Sequence, residues 1–242
     1  MKFNLPFLIR ATGLITIIGA ISIAQAAVTL DRTRIIFDGN QQSTNITIRN
    51  DNAEQPYLAQ SWLENAAGKK LVTGPIVTTP PIQRMEPQSS SIVRLSTSPE
   101  IAKLPQDRES LFYYNLREIP PTSTEAGVLQ IALQSRVKLF YRPEAIVAES
   151  KKEWTNQLTL TQSAQGYQLN NSTPFHITVI GFGNSKKFSE ETDFEAVMIA
   201  PKSTHTFKSA KLTTPHLTYI NDYGGKPTLA FKCQATQCSV TK

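Results

Sequence analysis

Residues 128–141 read VLQIALQSRVKLFY, and their alternation decides the fold. At period two, Leu129, Ile131, Leu133, Ser135, Val137, Leu139 and Tyr141 share one face. Val128, Gln130, Ala132, Gln134, Arg136, Lys138 and Phe140 share the other, which is polar until its end. No helical face gathers the same apolar set, so the stretch is predicted to be a β-strand. At about 3.3 Å per residue it would reach roughly 46 Å, against about 17–20 Å for an ordinary strand. A sandwich of about a hundred residues hardly covers such a length. Some of Leu129, Ile131 and Leu133 are therefore expected near or beyond the rim, on an unpaired edge. Such an edge is an aggregation hazard unless it exists to pair with another chain. The alternative is a long core strand capped by a neighbouring loop.

The rest of the chain supports a β fold. Alternating runs at 45–48, 57–62, 92–95 and 112–116 are separated by turn signals at Asp38-Gly39-Asn40, Asn50-Asp51-Asn52 and Thr79-Pro80-Pro81. This spacing predicts an antiparallel sandwich, with a short helical turn near 98–103. In the opening strand Val28, Leu30 and Arg32 share one parity, while Ile35 and Phe37 fall on the other. That flip predicts a bulge or a strand crossing between two sheets, with Arg34 at the switch. After Arg142-Pro143 alternation stops until Trp154, and the polar run 149–153 reads as a hinge. Further short strands are expected at 154–160, 167–169, 176–180, 194–199, 205–207, 217–220 and 229–233, with a tight turn at Asp222-Tyr223-Gly224-Gly225. The expected division is a signal peptide at 1–26, one domain at 27–146 and a second at 147–242.

The signal-peptide reading rests on Lys2 and Arg10, a short apolar run at 14–23 and the small-x-small site Ala24-Gln25-Ala26. It points to export, and no later segment is apolar enough to span a bilayer. Without those two cations the formal charge falls from +6 to +4, a mild excess that marks no nucleic-acid binder. The only cysteines, Cys233 and Cys238, are expected to form a local disulfide across a hairpin end. A metal site would need more ligands, and His176, His205 and His216 show no ligand spacing.

Catalytic motifs are missing: there is no G-x-S-x-G, H-E-x-x-H, P-loop or G-x-G-x-x-G. Gly181-Phe182-Gly183 reads as a turn, and Glu190-Glu191 as a solvated loop. No histidine occurs within 27–146. The chain is not expected to be an enzyme, and no cofactor is implied. Two cations stand out instead, Arg34 at the parity switch and Lys138 inside the long strand. Lys138 reads either as a surface residue with its stem laid along apolar neighbours, or as one of two cations turned into a cleft to capture a carboxylate.

The segments LDRTR (30–34), PYLAQ (56–60), LPQDRE (104–109), FYYNLREIPP (112–121), KLFYRP (138–143) and YINDYGG (219–225) resemble the PapD-type periplasmic pilus chaperones. The likeness extends over essentially the whole mature chain. It implies an all-β protein of two immunoglobulin-like β-sandwich domains in a boomerang arrangement. The implied function is donor-strand complementation: the chaperone binds, folds and caps pilus subunits and adhesin, then delivers them to an outer-membrane usher. By the resemblance, Arg34 and Lys138 anchor the subunit's C-terminal carboxylate, and Leu129, Ile131 and Leu133 fill its groove. Glu109, Arg142 and Asp222 match an interdomain acid–base–acid network, and Pro56, Leu58 and Ile119 an usher-facing patch. The short connection containing Pro120-Pro121 looks like the branch serving rod-like pili with adhesive tips. A self-capping homodimer would cover the exposed edge. The alternatives from another class are a fimbrial structural subunit or a secreted carbohydrate-binding β-sandwich. A donor-like strand in mid-chain and two domains argue against a subunit.

Overall fold

In a computed structural model the described residues are 26–123, 127–191 and 194–241. The signal peptide expected at 1–26 lies outside them, apart from Ala26. The first domain contains β1 (Val28–Leu30), β2 (Arg34–Asp38), β3 (Ser43–Asn50), β4 (Tyr57–Asn65), β5 (Lys70–Leu71), β6 (Ile76–Thr79), β7 (Ile82–Met85), β8 (Ser90–Thr97), β9 (Ser110–Ile119) and β10 (Gln134–Arg142). A 3-10 turn at Pro99–Lys103 begins with Pro99 in its first turn and with the Ser98 hydroxyl accepting the Glu100 amide. One sheet runs β1-β3-β8-β6 and the other β2-β10-β9-β4-β5, with β7 beside β4. The opening segment crosses between them: β1 pairs with β3 and β2 with β10, so the parity flip between Arg32 and Ile35 is a change of sheet. Inward residues of both layers, among them Ile35, Phe37, Ile46, Ile48, Tyr114, Leu116 and Leu139, form a closed core.

The second domain contains β11 (Thr159–Ser163), β12 (Gly166–Asn171), β13 (Ile177–Gly183), β14 (Val197–Ile199), β15 (Ser203–Lys208), β16 (His216–Ile220), β17 (Thr228–Gln234) and β18 (Gln237–Val240). Its strands follow the order β14-β13-β16-β17-β18-β11-β12-β15. The ribbon turns at β17, whose first half pairs with β16 and whose second half pairs with β18. A separate core gathers Leu158, Leu160, Tyr167, Leu169, Val179, Phe207, Leu217 and Phe231. Cys233 and Cys238 face each other across the β17–β18 hairpin and are joined by a disulfide.

Four expectations are corrected. The strand read as 128–141 is ordered as a strand only from Gln134, because its neighbours run out. Past the Gln134–Arg117 pair the one main-chain bond among the described residues runs from the Glu118 amide to the Leu133 carbonyl, and β9 then gives way to Pro120-Pro121, which have no amide to donate. The expected hinge contains helix α1 (Glu144–Ser150), which starts behind Pro143 and buries Ile146 and Val147. These two apolar neighbours do not alternate, so they gave no strand signal and too short a helical one. The strand expected at 154–160 is a 3-10 turn at Trp154–Gln157 followed by β11; Trp154 packs on Phe175 at 5.0 Å. A second helix, α2 (Lys186–Glu191), takes the place of the loop expected around Glu190.

Candidate functional site at the domain junction

β10 sets the site. Over Lys138–Tyr141 it lies between β2, which runs parallel, and β9, which runs antiparallel; Arg142 pairs with β2 alone. Its inward residues Leu139 and Tyr141 enter the core, with Tyr141 edge-on to Phe37 at 5.9 Å. Lys138, Phe140 and Arg142 therefore project from the outer face, toward the second domain.

The β2–β10 register places Arg34 directly opposite Lys138. Arg34 Nη1 donates to the carbonyl of Ile220 in the second domain at 3.0 Å, while its buried Nε has no partner among the described residues. Lys138 Nζ donates to the Thr178 hydroxyl at 3.3 Å. Burial holds the Arg34 guanidinium below its ordinary pKa, opposed by the fields of Asp222 and Glu109. Burial, then repulsion from Arg34, pulls the Lys138 ammonium down as well. Neither cation has a carboxylate at ion-pair distance among the described residues. Two half-buried, partly desolvated cations side by side are destabilising alone and attract an anion. A carboxylate oxygen pair can take charge-assisted hydrogen bonds from both.

Just below, Arg142 joins the domains. Its Nε and Nη2 donate to Glu109 Oε1 at 3.0 and 2.8 Å, and its Nη1 to Asp222 Oδ2 at 3.0 Å. Arg142 and Glu109 are buried and Asp222 is half-exposed. The structure thus brings these three sequence-selected residues together. Two glycines shape the junction. Gly39 donates its amide to the Arg142 carbonyl at 2.7 Å, and a Cβ there would lie 2.9 Å from that oxygen. Gly224, at φ +83°, closes the turn that presents Asp222, with Asn221 Oδ1 accepting the amides of Tyr223 and Gly225.

Sequence reasoning missed His176. Its amide and Nδ1 lie 2.7 and 3.1 Å from Glu109 Oε2, and its ring packs on Phe140 at 5.2 Å. Each link crosses between domains, so no local signal exists for it. It also missed Lys202, whose ammonium pairs with Asp107 across the same junction. A cavity of about 120 Å³ lies among Arg34, Glu109, Phe140, His176 and Asp222.

At the far end of β10, Leu129, Ile131 and Leu133 are 82%, 60% and 37% exposed. They continue the parity of the core residues Leu139 and Tyr141, so the apolar stripe leaves the sandwich and enters solvent. Because β2 begins only at Arg34, opposite Lys138, the side of β10 above that point carries no strand among the described residues. Leu58 on β4 is exposed and pairs across β9 with the half-buried Ile119, while Pro56 immediately precedes β4.

Residues 27–147 match the family model of the pili and flagellar-assembly chaperone PapD N-terminal domain, and residues 153–231 that of the pili assembly chaperone PapD C-terminal domain. The chain is 57% identical over 222 residues to the chaperone protein PapD of Escherichia coli, covering 92% of this chain and 93% of that protein. It is 43% identical to the chaperone protein PmfD of Proteus mirabilis, covering 94% and 92% respectively. The crystal structure of the periplasmic chaperone SfaE superposes with a TM-score of 0.68 at 30% identity, covering 84% of this chain and 98% of that one. Members of the family are chaperones, a non-enzymatic role. With both family domains present in order, and relatives matched over nearly their full length, the chain belongs to the PapD family of pilus-assembly chaperones.

Proposed function

We propose that the protein works in the periplasm, where it takes up pilus subunits and adhesin, completes their fold with residues 129–133 and passes them to an outer-membrane usher. The subunit's C-terminal carboxylate is bound between Arg34 and Lys138. Leu129, Ile131 and Leu133 then enter the groove left by the subunit's missing strand, while the main chain of 128–137 supplies hydrogen bonds. Burying three such side chains contributes on the order of 5–8 kcal/mol before ordering costs. The anchor fixes register, because a slip of one residue would turn all three away from the groove. Arg142, with Glu109 and Asp222, holds the angle between domains. Pro56, Leu58 and Ile119 face the usher, and in the absence of a subunit two copies cover each other's exposed stripe.

The observation that carries this reading is one apolar stripe, exposed at Leu129 and Ile131, that leads down to two adjacent cations with no carboxylate at ion-pair distance among the described residues. The test is co-expression with a pilus subunit and recovery of the soluble complex. Arg34→Glu or Lys138→Glu is expected to abolish the complex while the chaperone stays folded by circular dichroism. Subunits that remain soluble and bound with both charges reversed would refute the anchor.

A further inference from the structure

We propose that Glu118 is the counter-ion of the α-ammonium group created when the signal peptide is removed, so that processing completes the first domain's fold. This rests on the reading that cleavage falls after Ala26. The inward parity of β9 runs Phe112, Tyr114, Leu116, Glu118: three core residues and then an acid, at the open end of the sandwich. Glu118 is only 5% exposed. Its Oε2 accepts the Val28 amide at 2.7 Å, a bond that ties β1 of one sheet to β9 of the other. Among the described residues no lysine, arginine or histidine pairs with it. A buried carboxylate with one amide partner is a costly arrangement.

The chain supplies a cation at this point only after processing. Ala27 is held in place, since its carbonyl accepts the Asp51 amide at 2.7 Å. Covalent geometry puts the Ala27 nitrogen roughly 3–4 Å from the Val28 amide that Glu118 already grips. In the precursor that nitrogen is a neutral peptide amide attached to the leader. In the mature chain it is an ammonium within about 6–7 Å of a buried carboxylate. The other acid near it, Asp51, already accepts from the Thr29 hydroxyl and from Arg49 Nε. Arg49 belongs to β3, the strand that pairs with β1, so its charge is taken up by Asp51. The new pair also borders the exposed stripe: the Glu118 amide donates to the Leu133 carbonyl, and Glu118 pairs with Ala59 beside Leu58. Retained leader residues would thus disturb the end of the sandwich from which residues 129–133 emerge.

The experiment uses the full mature protein from periplasm, its N-terminus read by intact mass. A chain beginning elsewhere than Ala27 would overturn the cleavage reading and this proposal with it. With Ala27 as first residue, the α-amine is titrated by NMR after selective ¹³C-dimethylation. Its pKa is expected above the usual value of about 7.7–8.0, and is expected to return to that range in Glu118→Gln. In parallel, a second form retains one alanine before Ala27. The extension is expected to lower Tm by roughly 2–4 °C in the Glu118 background and by less than about 1 °C in Glu118→Gln. An α-amine that titrates in the ordinary range, or an equal loss of Tm in both backgrounds, would overturn the pairing. The titration of the wild-type chain decides the matter even where Glu118→Gln fails to fold.

Discussion

Residues 128–133 and 137–141 belong to one alternating stretch, yet they occupy opposite environments. Leu139 and Tyr141 are sealed in the core, whereas Leu129 and Ile131 stand in solvent. The side chains of the two halves are of the same kind. Their neighbours differ: β9 and β2 flank the lower half, while the upper half has a proline pair beside it and, among the described residues, no strand beyond. Alternation is a property of the residues, and burial is a property of what lies next to them. In a chaperone the difference has a use, because a stripe composed like a core strand but left without one is an offer to another chain.

Substitutions matched between the halves test this contrast, beginning with the strongest effect. Arg142→Ala at the bottom of β10 is expected to cost about 3–5 kcal/mol, because it leaves buried Glu109 without its cation. Denaturant unfolding checks this. Leu139→Ala is expected to cost about 2–5 kcal/mol as a cavity in the lower half. Val137, where the two halves meet, faces Tyr114 across the ladder. Burial pushes the Tyr114 hydroxyl up to about 12, despite its hydrogen bond with Ser61. Its folded value lies above the unfolded one near 10, so this contribution is intact below about pH 10 and falls away as the pH rises toward 12. Tyr114→Phe is expected to flatten that alkaline loss in a pH series of melting curves. The smallest change in stability is expected for Ile131→Ser in the upper half, within about 0.5 kcal/mol, although subunit capture should be lost. A large destabilisation by Ile131→Ser, or a mild one by Leu139→Ala, would break the contrast.

The sequence was legible where the signal was periodic. The parity flip around Arg34 marked a bulge or a crossing between sheets, which the fold resolves as a crossing, and the two-domain β architecture followed from strand spacing and turn residues. The length of the last strand was not legible, because the pattern of 128–133 carries no information about where β9 and β2 stop. Helix α1 was hidden for a related reason: two turns with Ile146 and Val147 as their buried residues are too short for a helical period. At the junction, the likeness to a known family pointed to Glu109, Arg142 and Asp222. Only the folded arrangement adds His176, because its bonds to Glu109 join positions 67 residues apart. Glu118 stands in the same case: it is in phase with Leu116, and its contact is with a backbone amide 90 residues away.

The doubly flanked lower half of β10 also has a mechanical consequence. Ladder hydrogen bonds run across a strand, so a pull along its axis loads them all in shear, whereas a sideways pull opens them one at a time. If a subunit's tail is held at Lys138 as proposed, tension passes down β10 between β2 and β9 and into Arg142, which is tied to both domains. Cargo drawn away along that axis would meet the stiffest direction of the molecule. On the same proposal, cargo peeled from the bare side of the upper segment would meet the softest direction, so replacement strand by strand would be the easier route of release.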